Sequence, residues 1–175
     1  MTPELAKTSV LLVYAALVII AALKDLSTFT IPNWISAALA IAFVPAALII
    51  GLTHGASGLS LAMSIGLNLA LGLGVLVLAA GMFALGWVGG GDAKLMAASA
   101  LWIGLPGLAP FALYTGLAGG ALALGLLALR SAWLRPLAAA GPAWTRRLAT
   151  PGEAAPYGVA IAFGALAAFA AHPMI

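Results

Sequence analysis

Long apolar runs with almost no charge in them constrain this chain more than any other feature. In 175 residues there are seven Lys and Arg and four Asp and Glu, while 65% of positions are hydrophobic. The mean hydropathy is +1.19, far above that of an ordinary soluble domain. Runs of this kind, each near the roughly 20 apolar residues needed to cross a bilayer, predict helices, because in lipid every backbone amide must be satisfied within its own segment. Strands of a membrane barrel would alternate polar and apolar positions, which these runs do not do. The expected class is an all-α integral membrane protein, a single domain over residues 1–175, with about six transmembrane helices.

The spans fall at about 8–23, 34–50, 59–81, 93–106, 108–129 and 156–172. The first follows Glu4 and Lys7 and could mimic a secretory signal; with so much apolar sequence downstream it reads as an uncleaved span. The fourth is short and runs into Gly104, Pro106, Gly107 and Pro110. Either it is a short helix with a tight turn to the next, or 93–129 is one broken helix. Lys and Arg collect in cytoplasmic loops, and six spans with the N-terminus outside put Lys24, Lys94, Arg130, Arg135, Arg146 and Arg147 on that side, leaving only Lys7 across the membrane. A five-span chain would separate the arginines from Lys24 and Lys94. The six-span arrangement also puts Asp25 in the first cytoplasmic loop and Asp92 in the second, so two distant carboxylates meet one membrane face.

The net charge of +3 comes largely from the segment RSAWLRPLAAAGPAWTRRL, which begins at Arg130. Arginines interleaved with Trp133, Trp144 and leucines suit the headgroup layer, with stems snorkelling and tryptophans anchoring, better than a nucleic-acid surface. Membrane lipid is the expected partner here, and nucleic acid is not. Cysteine is absent, which removes disulfides and thiolate metal sites.

Two stretches could carry chemistry. In GWVGGGDAKL, Gly86 to Leu95, three glycines precede Asp92 and Lys94. Gly89, Gly90 and Gly91 let the backbone bend and let another chain approach closely. The alternative is that Asp92 simply caps the fourth helix while Lys94 snorkels to the headgroups or tunes the aspartate's charge. No Gly-Lys-Ser/Thr follows the glycines, so this is not a phosphate loop. In KDLSTFTIPNW, Lys24 to Trp34, Pro32 ends any helix arriving from Ile31 and suits entry to the next span, and Trp34 belongs at the interface. Asp25 there is either the polar end of the first span or a functional carboxylate. His54 and His172 fall at external ends of spans and read as interfacial. Asn68, among Gly66, Gly72 and Gly74, reads as glue between closely packed helices.

Together these stretches resemble the small type IV prepilin peptidases, aspartic membrane proteases of the tight-adherence (Flp) pilus type. Asp25 with Ile31-Pro32-Asn33 is similar to the family's first-aspartate motif. Gly89-Gly90-Gly91-Asp92-Ala93-Lys94-Leu95 is similar to its Gly-x-Gly-Asp-x-Lys-Leu signature, and Ala155-Pro156-Tyr157-Gly158-Val159-Ala160 to the Pro-Tyr-Gly start of its last span. The resemblance implies an enzyme of the bacterial inner membrane that removes the short basic leader of a prepilin at the cytoplasmic face. It implies a catalytic pair, Asp25 and Asp92, with Gly89, Gly90, Gly91, Lys94, Pro32, Asn33, Tyr157 and Gly158 binding substrate or shaping the site, and no metal or other cofactor.

The chain departs from the family at two places. Leu26, Ser27 and Thr28 stand where members often carry a basic residue, and the cysteine segment that larger members use for N-methylation is missing, so no methyl transfer is expected. From another functional class, a small transporter or channel subunit would use the same two aspartates to relay protons or bind cations.

The six-span reading predicts that reporters fused after Ala56 and after Arg147 lie on opposite sides of the membrane. Reporters on a shared side would overturn it.

Overall fold

The computed structural model describes residues 2–141 and 143–171. His172 lies outside the described residues, as does the side chain of Trp144. Among the described residues there is no strand, and the expected all-α membrane class is what forms. The elements are α1 (Pro3–Thr28), α2 (Asn33–Thr53), α3 (Gly58–Ala84), α4 (Gly90–Leu129), the short α5 (Arg135–Ala139) and α6 (Ala143–Leu148), and α7 (Tyr157–Ala171). The first four are long and apolar enough to cross a bilayer; α7 is apolar and shorter.

Helix α1 begins where its sequence signals a start. The Thr2 hydroxyl accepts the Leu5 N–H at 3.3 Å, Pro3 occupies the first turn, and Glu4 sits at the positive end of the helix dipole. Its buried residues, Ala6, Val10, Tyr14, Val18, Ala21 and Asp25, recur every three or four positions and so form one stripe. Asp25 thus continues an apolar face. The helix stops at Phe29, which adopts a left-handed conformation (φ 56°, ψ 28°) and returns its N–H to the Asp25 carbonyl at 2.8 Å. Pro32 then caps α2 in extended backbone, as its ring requires. Twenty-six helical residues rise about 39 Å, beyond the roughly 30 Å hydrocarbon core.

This length corrects one expectation. Asp25 and Asp92 are not in loops: each lies on a terminal turn of a long helix, because nothing in 24–28 or 90–92 breaks the backbone where the apolar run ends.

The spans expected at 93–106 and 108–129 form one helical run, α4, broken at Gly104. The run is interrupted by non-helical backbone at Gly104, and the chain doubles back there into two antiparallel arms. Gly91 lies against Ile31, Gly158 lies against both Ile31 and Asp25, and Gly119 lies against the neighbouring Tyr157. Gly91 and Gly119 therefore share one end of the molecule, whereas a straight helix would hold them about 42 Å apart. The first arm, 90–103, rises only about 21 Å, so the reversal falls short of the far side of a roughly 30 Å apolar layer. Irregular backbone at such depth must be buried in protein, and Gly104 and Gly107 are both buried. Asn68 of α3 faces Gly104, the helix-to-helix contact its small neighbours suggest.

The core lies where α1, α2, α4 and α7 meet. Tyr14, Phe43, Trp102 and Phe169 pack there, with ring centroids 4.4–6.5 Å apart. The Trp102 indole N–H donates to the Leu39 carbonyl at 2.9 Å, which satisfies the one polar atom of that ring. Glycines let the backbones approach closely: Gly164 of α7 sits directly on Thr115 of α4, leaving no room for a side chain. The outer faces of α1, α3 and the second arm of α4 carry exposed Leu, Ile and Val, as a lipid-facing surface requires.

At Gly104 the backbone has φ 69° and ψ 177°, a region essentially restricted to glycine, and an added Cβ would stand 3.3 Å from Asn68 Oδ1. Gly104→Ala should lower stability by about 1–3 kcal/mol. Thermal unfolding in detergent will measure this against Gly116→Ala, a helical site with open space around it.

Candidate active site

Asp25 is 5% exposed although it is formally charged, because its stripe packs against α7. One partner compensates it. The Gly158 backbone N–H, in the first turn of α7, donates to Asp25 Oδ2 at 2.6 Å. That amide is one of the four at a helix start that have no partner within the helix, so it is free to bind a carboxylate. A Cβ at position 158 would stand 2.8 Å from Asp25 Oδ2 and 2.8 Å from Ile31 Cδ1, so only glycine fits without displacement.

Asp92 is held from its own helix. It is the third residue of α4, and its Oδ2 accepts the N–H of Gly89, the N-cap, at 3.2 Å. This is the reach-back half of a capping box, and it ties the aspartate to the glycine run in front of it. Asp92 thus helps to cap α4 from its third position, whereas the N-cap itself is Gly89. Gly91 packs its backbone against that of Ile31, where a Cβ would be 3.3 Å from the Ile31 carbonyl oxygen. That close approach is what the glycine run is for: it brings the start of α4 against the loop that follows α1.

The two carboxylates consequently line one cavity of about 270 Å³, together with Phe29, Thr30, Ile31, Gly89, Gly90 and Gly91. Two ionisable oxygens-only groups, a strip of bare backbone and room for water make a site suited to proton transfer at a bound main chain. Among the described residues no group of three or more His, Cys, Asp and Glu converges to hold a metal.

The other residues singled out from the sequence are distributed around this cavity. Asn33 and Lys94 lie just beyond it, where Lys94 Nζ donates to Asn33 Oδ1 at 2.8 Å and both face a neighbouring groove. Pro32 acts through the start of α2. Tyr157 is turned away, its ring packed on Gly119, while Gly158 touches Asp25 through its backbone. His54 is exposed at the end of α2, and Trp34 and Trp133 are exposed as interfacial tryptophans should be.

Sequence reasoning missed Phe29 and the segment beyond α4. The Arg147 guanidinium stacks 4.6 Å over the Phe29 ring and lies 3.8 Å from Glu153 Oε1, while Arg130 donates to the carbonyls of Leu148 and Glu153 at 2.9 Å each. The arginine-rich loop is thus tied back onto the aspartate end of the bundle, and not only available to headgroups. A non-glycine residue in left-handed backbone leaves no mark in sequence, and neither does a stacking partner more than a hundred positions away.

A model of the type IV leader peptidase family matches residues 12–124, well over half of the chain. The match contains Asp25 and Asp92 and ends before α7. Neither a curated protein nor a solved structure matches the chain.

Since Gly158 is the only described contact that satisfies the buried Asp25 carboxylate, Gly158→Ala should destabilise the bundle by about 1–3 kcal/mol through overpacking. Gly120→Ala, with open space around it, should not. Unfolding midpoints of the purified variants decide this.

Proposed function

The chain belongs to the type IV leader peptidase family, and on that premise we propose that it is an aspartic endopeptidase that removes the leader of a Flp-type prepilin at the cytoplasmic face of the bacterial inner membrane, with Asp25 and Asp92 as its catalytic pair. Family membership makes the chain a peptidase with prepilin substrates and a multi-pass membrane protein. The observation that carries the finer reading is the convergence of two carboxylates, from the last turn of α1 and the first turn of α4, on one cavity.

Two carboxylates sharing a small cavity do not both ionise cheaply, so the pair keeps one proton between them. The ionised member takes a proton from a water, which attacks the scissile carbonyl carbon. The protonated member donates to the carbonyl oxygen as it becomes tetrahedral, and the proton gained from water is passed to the leaving amine as the C–N bond breaks. As the carbonyl re-forms, its hydroxyl gives the donated proton back, and the pair again holds one proton. The glycines before Asp92 leave backbone groups open to an extended substrate segment, and Gly158 holds one carboxylate oxygen of Asp25, which lines the cavity.

The site lies at an end of the helices, so a substrate whose apolar helix sits in lipid would present its leader junction at the level of the aspartates. A basic leader suits an entrance that carries two acidic groups.

Asp25→Asn and Asp92→Asn should each slow shortening of a co-expressed prepilin at least about a hundredfold, the scale of lost acid–base catalysis, with the amount of membrane-inserted protein unchanged. Gel mobility of the pilin reports this. Near-normal processing by either variant would mean the pair is wrongly assigned.

A further inference from the structure

Helices α2 and α3 are neighbours in sequence but separate in space. They meet at their shared turn, where Leu61 packs onto Gly51, and make little contact beyond it. Helix α3 leans on α4 instead, and of its 27 residues only Leu61, Gly72 and Ala79 are buried. Beyond that turn a groove separates α2 from α3, and residues of the first arm of α4 line it as well. It encloses about 570 Å³, within the roughly 300–1,000 Å³ typical of ligand sites. Ala37 and Ala40 of α2, Gly72 and Leu76 of α3, and Ala97 and Leu101 of α4 line it.

We propose that this groove seats the apolar helix of the prepilin substrate and delivers its leader junction to the aspartates; the inference rests on the peptidase reading above. Three observations favour a polypeptide helix as the occupant. The groove adjoins the catalytic cavity: Asn33 and Lys94, which line the groove, stand two residues beyond Ile31 and Asp92, which line the cavity. Five of its eleven lining residues are Ala or Gly, which let a second helix backbone come close in lipid, where packing and not hydrophobicity drives association. Ser36, 7% exposed, belongs to the groove's wall, and its hydroxyl, itself buried there, has no hydrogen-bond partner. A lipid tail offers that hydroxyl nothing, whereas a closely packed helix offers backbone carbonyls and side-chain acceptors.

The chain has no cysteine, so a single introduced one is a unique probe. Ala40 lies about 10 Å along α2 from Asn33 at 1.5 Å per residue. Ala40→Cys and Leu73→Cys, each combined with Asp25→Asn to keep the precursor whole, should form disulfides with a prepilin carrying one cysteine two turns into its apolar helix. Leu12→Cys, on the lipid-facing side of α1 and 65% exposed, should not. Separately, Ala40→Trp should cut processing by about tenfold to a hundredfold, as expected when the scissile bond is misplaced. Equal cross-linking at Leu12, or none at either groove position while the unaltered enzyme still cuts the same precursor, would overturn the groove and leave the peptidase reading standing. Cross-linking of the groove only to a second copy of the chain would do the same. If the unaltered enzyme failed to cut the precursor at all, the peptidase reading would fall and the groove with it.

Discussion

The hydrogen bond from the Gly158 amide to Asp25 fixes the end of α1 against the start of α7 at the functional end of this molecule. A carboxylate on the buried stripe of an apolar helix needs a donor, and in a bundle with so few polar side chains the available donor is a backbone N–H at a helix start. That requirement locates the start of α7 against the end of α1. Because the amide must come within 2.6 Å, the residue that supplies it can have no Cβ, and the glycine follows from the bond.

The second constraint is the fold-back at Gly104. An unbroken helix from Gly90 to Leu129 would carry the chain far past the membrane, and α7 would lose the partner it packs against most extensively. The glycine conformation at the break, with two prolines just after it, turns one run into two antiparallel arms. Both arms reach the aspartate end, one bringing Asp92 and the other the Gly119 surface on which Tyr157 rests. The shortness of the first arm also leaves α3 without a full-length partner, which is the physical origin of its exposure and of the groove beside α2.

Bonding and packing are therefore unevenly distributed. The α1–α4–α7 side is tightly packed, with aromatic rings and glycine contacts locking it, while a groove separates α2 from α3. A protease acting on a helix that is itself embedded in lipid needs both: a rigid side to hold the carboxylates in register and an open side through which its substrate can arrive. The arginine-rich loop adds to the rigid side, since Arg130 and Arg147 bind it to the end of α4 and to Phe29.

Much of this was legible in the residues themselves. Apolar runs in lipid have one solution for their backbone amides, so the helical class follows from composition, and Pro32, Gly104 and the glycines before Asp92 marked breaks that do occur. Motif spacing pointed to Asp25 and Asp92, although it placed them in loops, because hydropathy records where the lipid ends and not where the helix does. What no local pattern could supply is depth and proximity. That Gly158 caps Asp25, that the Tyr157 ring packs on Gly119 and that Phe29 takes a left-handed turn beneath Arg147 are consequences of helices packing across long sequence separations, where the identity of a neighbour is decided by shape and by the need to satisfy a buried charge.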